Sequence, residues 1–401
     1  MGYYLKPEFK KLLMTIEKTF PIPGRFRSKL PGNVAELSRL LTTARAERDT
    51  GYLNRPNLLS AYLYYFLPWN IFRLCWLFSL QNESSLLFER QSFLSSLKDG
   101  DLIADLGSGP LTFPIALWIA FPELRRVKLE FRCVDKSAAI LDAGYKLFKA
   151  LSNRNNEVSG GAAWKIKTIH DSIYMPRLTA KLVTAVNLFN EVISGRNSVE
   201  IKKAAALLAG LCDANGSILV VEPGNPQGGA FISALRSVLL EREKYPASPC
   251  PHAGPCPLPG KKKWCHFAFE TGSVPAILHK LSLAAGIPKE RATLSFLLTQ
   301  PEQPAGIKSW TAGETINVRI ISDTFPVSIK NQEPRFGCYG CSKKGLVLVT
   351  GNPANLGSRI NSCTSGALLK LPFIAADAQK DRKTGALIVP LDTRIFPSYS
   401  V

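Results

Sequence analysis

This sequence predicts an α/β fold built on a mostly parallel sheet, and three observations carry the prediction. Apolar runs of strand length recur at 102–104, 129–134, 164–169, 182–188 and 217–222, and again at 293–299 and 316–321. Segments with helical spacing separate them, as at 202–211, 229–240 and 274–285. Alternation of this kind covers both faces of a parallel sheet. The first run also passes directly through Asp105-Leu106-Gly107-Ser108-Gly109-Pro110 into an apolar helix, the strand–turn–helix order of a nucleotide-binding unit.

Before that unit, residues 1–98 place apolar and charged positions at helical spacing, with prolines at 7, 21, 23, 31, 56 and 68 as breaks. A helical N-terminal region is expected. Its basic run of Arg25, Arg27, Lys29, Arg39, Arg45 and Arg48 suits either a solvated helix face or an RNA contact. The apolar stretch 58–80 is interrupted by Pro68, Asn70 and Arg73 and reads as buried helices, and no uncharged apolar run reaches membrane-spanning length. The first twenty residues contain Glu8 and Glu17 without a cleavage pattern, so a cytoplasmic protein without a membrane role is expected.

Residues 99–322 are expected to form the Rossmann-like domain. Gly107 and Gly109 let backbone approach a ligand, and the following helix N-terminus offers free N–H groups. The second strand ends in Asp135, thirty residues after Asp105, where a carboxylate meets ribose hydroxyls. Leu111 stands where a dinucleotide fingerprint would carry more glycine, and no phosphate-loop lysine follows. The pattern therefore points away from NAD and ATP and towards S-adenosylmethionine. Expected cofactor-binding residues are Asp105, Gly107, Ser108, Gly109, Asp135, Asp171 and Asn187, at or near strand ends that converge on one crevice. Asn190, Glu191 and Glu222 fall at the same end, where the first two suit either a target site or a helix cap.

An insertion at 249–267, PCPHAGPCPLPGKKKWCHF, holds three cysteines, two histidines and five prolines, a composition for neither helix nor strand. Cys250, Cys256 and Cys265 can fold back to one point, and thiolates favour zinc or an iron–sulfur cluster over hard cations. A fourth ligand is offered by Cys338 or Cys341, flanked by glycines. His252 and His266 are either ligands or loop caps. Cys75, Cys133, Cys212 and Cys363 sit in apolar or small-residue settings and read as buried thiols.

Residues 323–374 are β-prone and basic, with Glu333 the sole acid between Phe325 and Ile374, and are expected to form a small β extension; 375–401 read as a surface tail. Over the whole chain 50 Lys and Arg face 31 acids, a net charge of +19. An excess of that size is an electrostatic footprint for a polyanion, RNA or DNA foremost.

Taken together, DLGSGP, NLFNE, VVEPGNPQGGAFISALR and above all PCPHAGPCPL followed by WCHF resemble the mitochondrial small-ribosomal-subunit methyltransferase-like assembly factors and their bacterial relatives, over roughly residues 50 to 350. The resemblance implies a class I S-adenosylmethionine-dependent methyltransferase fold and binding to small-subunit rRNA and proteins, with the chain acting as a monomer. It also implies a [4Fe–4S] cluster on Cys250, Cys256, Cys265 and Cys341, the last because Gly345 follows it at the family's interval. Zinc is the alternative occupant. The family's further glycine is replaced by Leu111, and NLFNE is not the N-P-P-Y type that holds a target nitrogen. The chain is thus expected to be a ribosome assembly or translation factor, with an active RNA methyltransferase as the alternative; no catalytic residue is identified. A radical enzyme is disfavoured by four candidate ligands at wide spacing.

Overall fold

The computed structural model describes residues 5–47, 51–79, 88, 90–156, 164–173, 179–193, 197–258, 263–302, 315–327, 335–351, 364–372 and 379–391. The N-terminal region is helical: α1 (Leu5–Thr19), α2 (Gly24–Arg27), α3 (Leu30–Leu41), α4 (Pro56–Ala61), α5 (Leu67–Phe78) and α6 (Arg90–Ser96). Between α4 and α5 the helix widens into one π-turn, Tyr62–Phe66, with the Leu67 N–H bonded to the Tyr62 carbonyl. Pro68 supplies a local cause, because it cannot donate to the preceding turn and its ring crowds it. α5 is buried on most sides and packs on the next long apolar helix, α7 (Thr112–Ala120), every residue of which is buried.

The first sheet contains β1 (Leu102–Leu106), β2 (Glu130–Asp135), β3 (Lys165–His170), β4 (Ala180–Val186), β5 (Cys212–Pro223), β6 (Tyr245–Ser248), β7 (Phe267–Glu270) and β8 (Arg291–Gln300). Its order is β3-β2-β1-β4-β5-β8-β6, with β7 also paired to β8. β1 to β5 run parallel, and β8 is antiparallel to β5, Glu222 facing Ser295. Five parallel strands with one reversed strand beside the fifth form the class I methyltransferase fold. Helices α8 (Ala138–Asn156), α9 (Phe189–Val192), α10 (Ser198–Leu211), α11 (Pro226–Leu240) and α12 (Ala276–Ala284) complete the core. α7 and α8 share one buried cluster with the N-terminal helices, while α10 and α11 cover the other face. The chain reverses its direction of winding between β1 and β4, so a crevice opens at the carboxyl ends of these strands.

A second, mostly antiparallel sheet has the order β13-β9-β11-β12-β14, with β10 on β11. Its strands are β9 (Thr315–Ile320), β10 (Phe325–Val327), β11 (Arg335–Ser342), β12 (Gly345–Gly351), β13 (Leu368–Pro372) and β14 (Leu387–Pro390). Two sequence expectations change here. The strand expected at 316–321 does not extend the first sheet but belongs to the second: Ile316, Val318 and Ile320 pack in the core of that sheet, while Thr315 and Asn317, alternating with them, are exposed. Leu387–Pro390, within the expected surface tail, pairs in parallel with β12. The run 293–299 falls in β8, the one reversed strand of a sheet that is mostly parallel, as expected. Among the described residues no helix is long and apolar enough to cross a membrane.

Candidate functional site

The glycine turn after β1 is held from below. Asp105 is 1% exposed; its Oδ1 accepts from the Thr184 hydroxyl on β4 at 2.6 Å and its Oδ2 accepts from the Ser108 hydroxyl. Burial pushes this carboxyl up to about 7, against the pull of both hydroxyls. Asp105 therefore ties the turn to the neighbouring strand. Gly107 and Gly109 take φ of 61° and 54°, and a Cβ on Gly107 would meet Leu188 Cδ1 at 2.6 Å. Leu111 also adopts a left-handed φ of 56° while fully buried, so the position needs glycine-like backbone and the side chain is retained for packing.

Asp135, at the end of β2, faces this turn. Its Oδ2 accepts the Gly109 N–H and its Oδ1 the Ser137 N–H, both at 2.9 Å. Burial pushes its carboxyl above the usual carboxylate range, opposed by these N–H groups. Asp171 is exposed after β3, and its N–H bonds to the Asp135 carbonyl at 3.1 Å. Asn187 ends β4 with a left-handed φ of 55°, its N–H on the Val221 carbonyl at 2.7 Å. All seven cofactor candidates thus lie along one edge, at the carboxyl ends of β1 to β4 or on the turns that follow.

Beyond β4, Glu222 organises the far wall. It is 1% exposed and accepts the Phe189 N–H at 2.8 Å and the Asn190 N–H at 3.1 Å. The Asn190 amide also reaches Glu222 Oε2 and the Asn187 carbonyl when its NH₂ faces them. Burial lifts Glu222 to about 8. Two contributors were not expected at the crevice: Arg45, read from sequence only as part of a basic run, donates from Nη1 to the Asn190 carbonyl at 2.5 Å, and the Tyr62 hydroxyl stands 3.9 Å from where a Gly109 Cβ would be. Neither carries a motif; only the packing of the N-terminal helices brings them here.

The cysteine loop lies behind this wall. Trp264 Nε1 donates to the Gly224 carbonyl at 3.1 Å, Gly229 has no room for a Cβ against Trp264, and the Ser295 hydroxyl donates to the Cys265 carbonyl at 2.7 Å. Cys250, Cys256 and Cys265 from the loop and Cys341 from β11 lie within electrostatic reach of one another. Burial and the neighbouring thiols push Cys265 and Cys341 well above the usual thiol range, while Arg236 partly offsets the burial of Cys250. Cys338, an odd step away on the strand, points instead into the core of the second sheet. Cys75, Cys133 and Cys212 are buried, and Cys363 falls outside the described residues.

Two guanidinium groups frame the thiols. Arg236, 2% exposed on α11, donates from Nε to Cys250 Sγ at 3.2 Å and from Nη2 to the His252 and Gly254 carbonyls at 2.7 and 2.8 Å. Arg319 on β9 donates to the Pro249 carbonyl at 2.8 Å. His252 Nε2 is 3.4 Å from Cys341 Sγ, and burial beside Arg236 lowers the ring to about 4, so it is neutral at physiological pH. Arg236 Nη1 and His252 Nδ1 are buried with no hydrogen-bond partner. Soft donors, two cations and the idle Nη1 amino group of Arg236 fit an anionic thiolate-bound group. As the side chains stand, no group of three or more His, Cys, Asp or Glu among the described residues is set to hold a metal ion. His266 stacks on Trp264 at 5.2 Å and bonds its carbonyl.

Comparison with known proteins gives one family. The sequence pattern described as "Mitochondrial small ribosomal subunit Rsm22" matches residues 101–325, more than half of the chain. No curated protein matches. Among solved structures, a class I S-adenosylmethionine-dependent methyltransferase from Listeria monocytogenes is 9% identical, with 76% of this chain and 91% of that one covered at a TM-score of 0.35. A methyltransferase from Pyrococcus furiosus is 8% identical, covering 55% and 87% at 0.31. One from Thiobacillus denitrificans, solved with S-adenosyl-L-homocysteine, is 12% identical, covering 57% and 97% at 0.30. The strand order itself, rather than these alignments, carries the fold assignment.

Proposed function

Because this chain belongs to the family described as mitochondrial small ribosomal subunit Rsm22, we propose that it is a small-subunit assembly or translation factor whose methyltransferase-like body binds rRNA. In this reading the basic surface engages rRNA and the cysteine nest keeps an RNA-facing loop in shape. The observation that carries it is that four thiols from two distant segments lie within electrostatic reach of one another between Arg236 and Arg319, beside the crevice wall. Cys250, Cys256, Cys265 and Cys341 would hold a [4Fe–4S] cluster, with zinc as the competing occupant. The backbone of Gly107, Ser108 and Gly109 would receive S-adenosylmethionine, Asp135 its ribose hydroxyls, and Asp171 and Asn187 its flanks; Asp105 acts by holding the turn. The domain limits expected from sequence, a monomeric state and a cytoplasmic place of action belong to the same reading. A sedimentation assay tests it: the chain should travel with isolated small subunits at low salt and dissociate steeply as salt rises. Failure to co-sediment at any salt would refute it.

The second reading, an active RNA methyltransferase, is favoured by the wall that Glu222 builds. From the end of β5 its bonds fix Asn190, and the Asn190 amide in turn reaches the Asn187 carbonyl, so both asparagines are held just beyond β4, where a target nitrogen would stand. S-adenosylmethionine would supply the methyl group, and transfer needs proximity and alignment more than a base. Mapping modified nucleotides in cells with and without the gene decides this, and an unchanged map would reject turnover.

A further inference from the structure

One cationic cluster is used by neither the crevice nor the cysteine nest. Tyr65, Trp69 and Arg73 are spaced four residues apart across the π-turn and α5, and so lie along one helical face. Lys289, just before β8, stands over the Tyr65 and Trp69 rings, with its Nζ 5.8 and 5.6 Å from their centroids. Trp69 is 1% exposed, and its indole N–H has no acceptor; nor does the buried Nε of Arg73. Arg73 Nη1 donates to the neutral Asn70 amide at 2.9 Å. Neither cation has a carboxylate partner among the described residues. Burial and the charge of Arg73 push Lys289 down to about 7, which shows how little nearby charge favours it. Two cations and two idle donors in an aromatic setting form an arrangement whose missing complement is an oxyanion.

The position says which oxyanion. Asn70 joins Arg73 to Tyr62, beside the glycine turn. Lys289 precedes the part of β8 whose Leu294 and Ser295 pair with Pro223 and Glu222. The cluster therefore stretches away from the turn towards the far wall, the side from which a target would enter. We propose that Trp69, Arg73 and Lys289 bind one phosphate group of an RNA strand, next to the nucleotide presented to the crevice. This rests on the reading of the chain as an RNA-binding protein; free phosphate is the other source of the same chemistry.

The test uses the full chain labelled with ¹⁵N and follows its indole N–H signals at constant ionic strength. Inorganic phosphate, and separately a ten-nucleotide oligouridylate without terminal phosphates, should each shift one signal, which Trp69→Phe identifies by its loss. Filter retention of the oligouridylate should weaken on the order of fivefold in Lys289→Met, with the salt slope reduced by about one, and recover in Lys289→Arg. A shift with phosphate alone would overturn the RNA assignment. No shift of the Trp69 signal with either probe would overturn the site. Equal retention by native and Lys289→Met proteins would also reject the site but leave RNA binding intact, whereas no retention by either, with the phosphate shift present, would reject RNA binding and not the oxyanion site.

Discussion

The glycine turn and the cysteine nest sit on opposite sides of one crevice wall and are built in different ways. The turn grows from consecutive residues, and its buried acid is satisfied by its own neighbours: Asp105 by Ser108 and Thr184, with Asp135 bonded to Gly109 and Ser137. The nest gathers residues 250–265 and residue 341, is framed by Arg236 and Arg319, and keeps buried N–H groups without partners. A site that closes its own hydrogen bonds is shaped in advance. A site with surplus donors around thiols is shaped for an anionic group yet to be counted in its balance.

That contrast can be broken most forcefully at Arg236. Arg236→Met would leave the His252 and Gly254 carbonyls and Cys250 without their buried donor, at a cost on the order of 3 kcal/mol in urea denaturation. An unchanged midpoint would mean that the guanidinium does not hold the loop. Asp105→Ala should cost about 2 kcal/mol by freeing the Ser108 and Thr184 hydroxyls, and should weaken S-adenosylmethionine binding by calorimetry while leaving iron content as it is. Loss of iron in that variant would erase the separation between the two regions.

A further effect concerns pH. Burial pushes Glu222 up to about 8 in the folded protein, against an ordinary value of 4.5. Between those values the folded state keeps a proton that the unfolded chain has released, so this group's contribution is complete below the lower value and is lost as pH rises through the upper one. Asp105, raised to about 7, acts in the same direction. The difference in urea stability between native and Glu222→Gln proteins should therefore change between pH 5 and 8 and level off above; a difference independent of pH would contradict the assignment. The smallest effect belongs to Leu111→Gly, where relief of a left-handed residue, about 1 kcal/mol, opposes the loss of a buried leucine, about 2 kcal/mol. A net loss near 1 kcal/mol should appear in thermal unfolding, and a gain would show that backbone strain dominates.

What was legible in the sequence follows the same division. The β1 turn, the acid ending β2 and the run of parallel strands are local patterns, and strand order turned them into one crevice. The three loop cysteines were conspicuous for their composition, but choosing Cys341 over Cys338 needs the face each takes on β11. The alternation of Ile316, Val318 and Ile320 already marked a one-sided strand, although its place in the second sheet depends on pairing with β11 and β13. Tyr62 and Arg236 were invisible as site residues because a lone polar side chain on an apolar helix resembles any other until its distant partner is known, and Arg45 stood out only as one of a basic run, not as a neighbour of Asn190.

The most direct test of the account is the content of the nest. Anaerobically purified native protein and Cys341→Ser should be analysed for iron, sulfide and zinc alongside their ultraviolet–visible spectra. The account predicts about four irons with matching sulfide in the native protein and loss of both in the variant. Stoichiometric zinc without sulfide, or no metal at all, would contradict it.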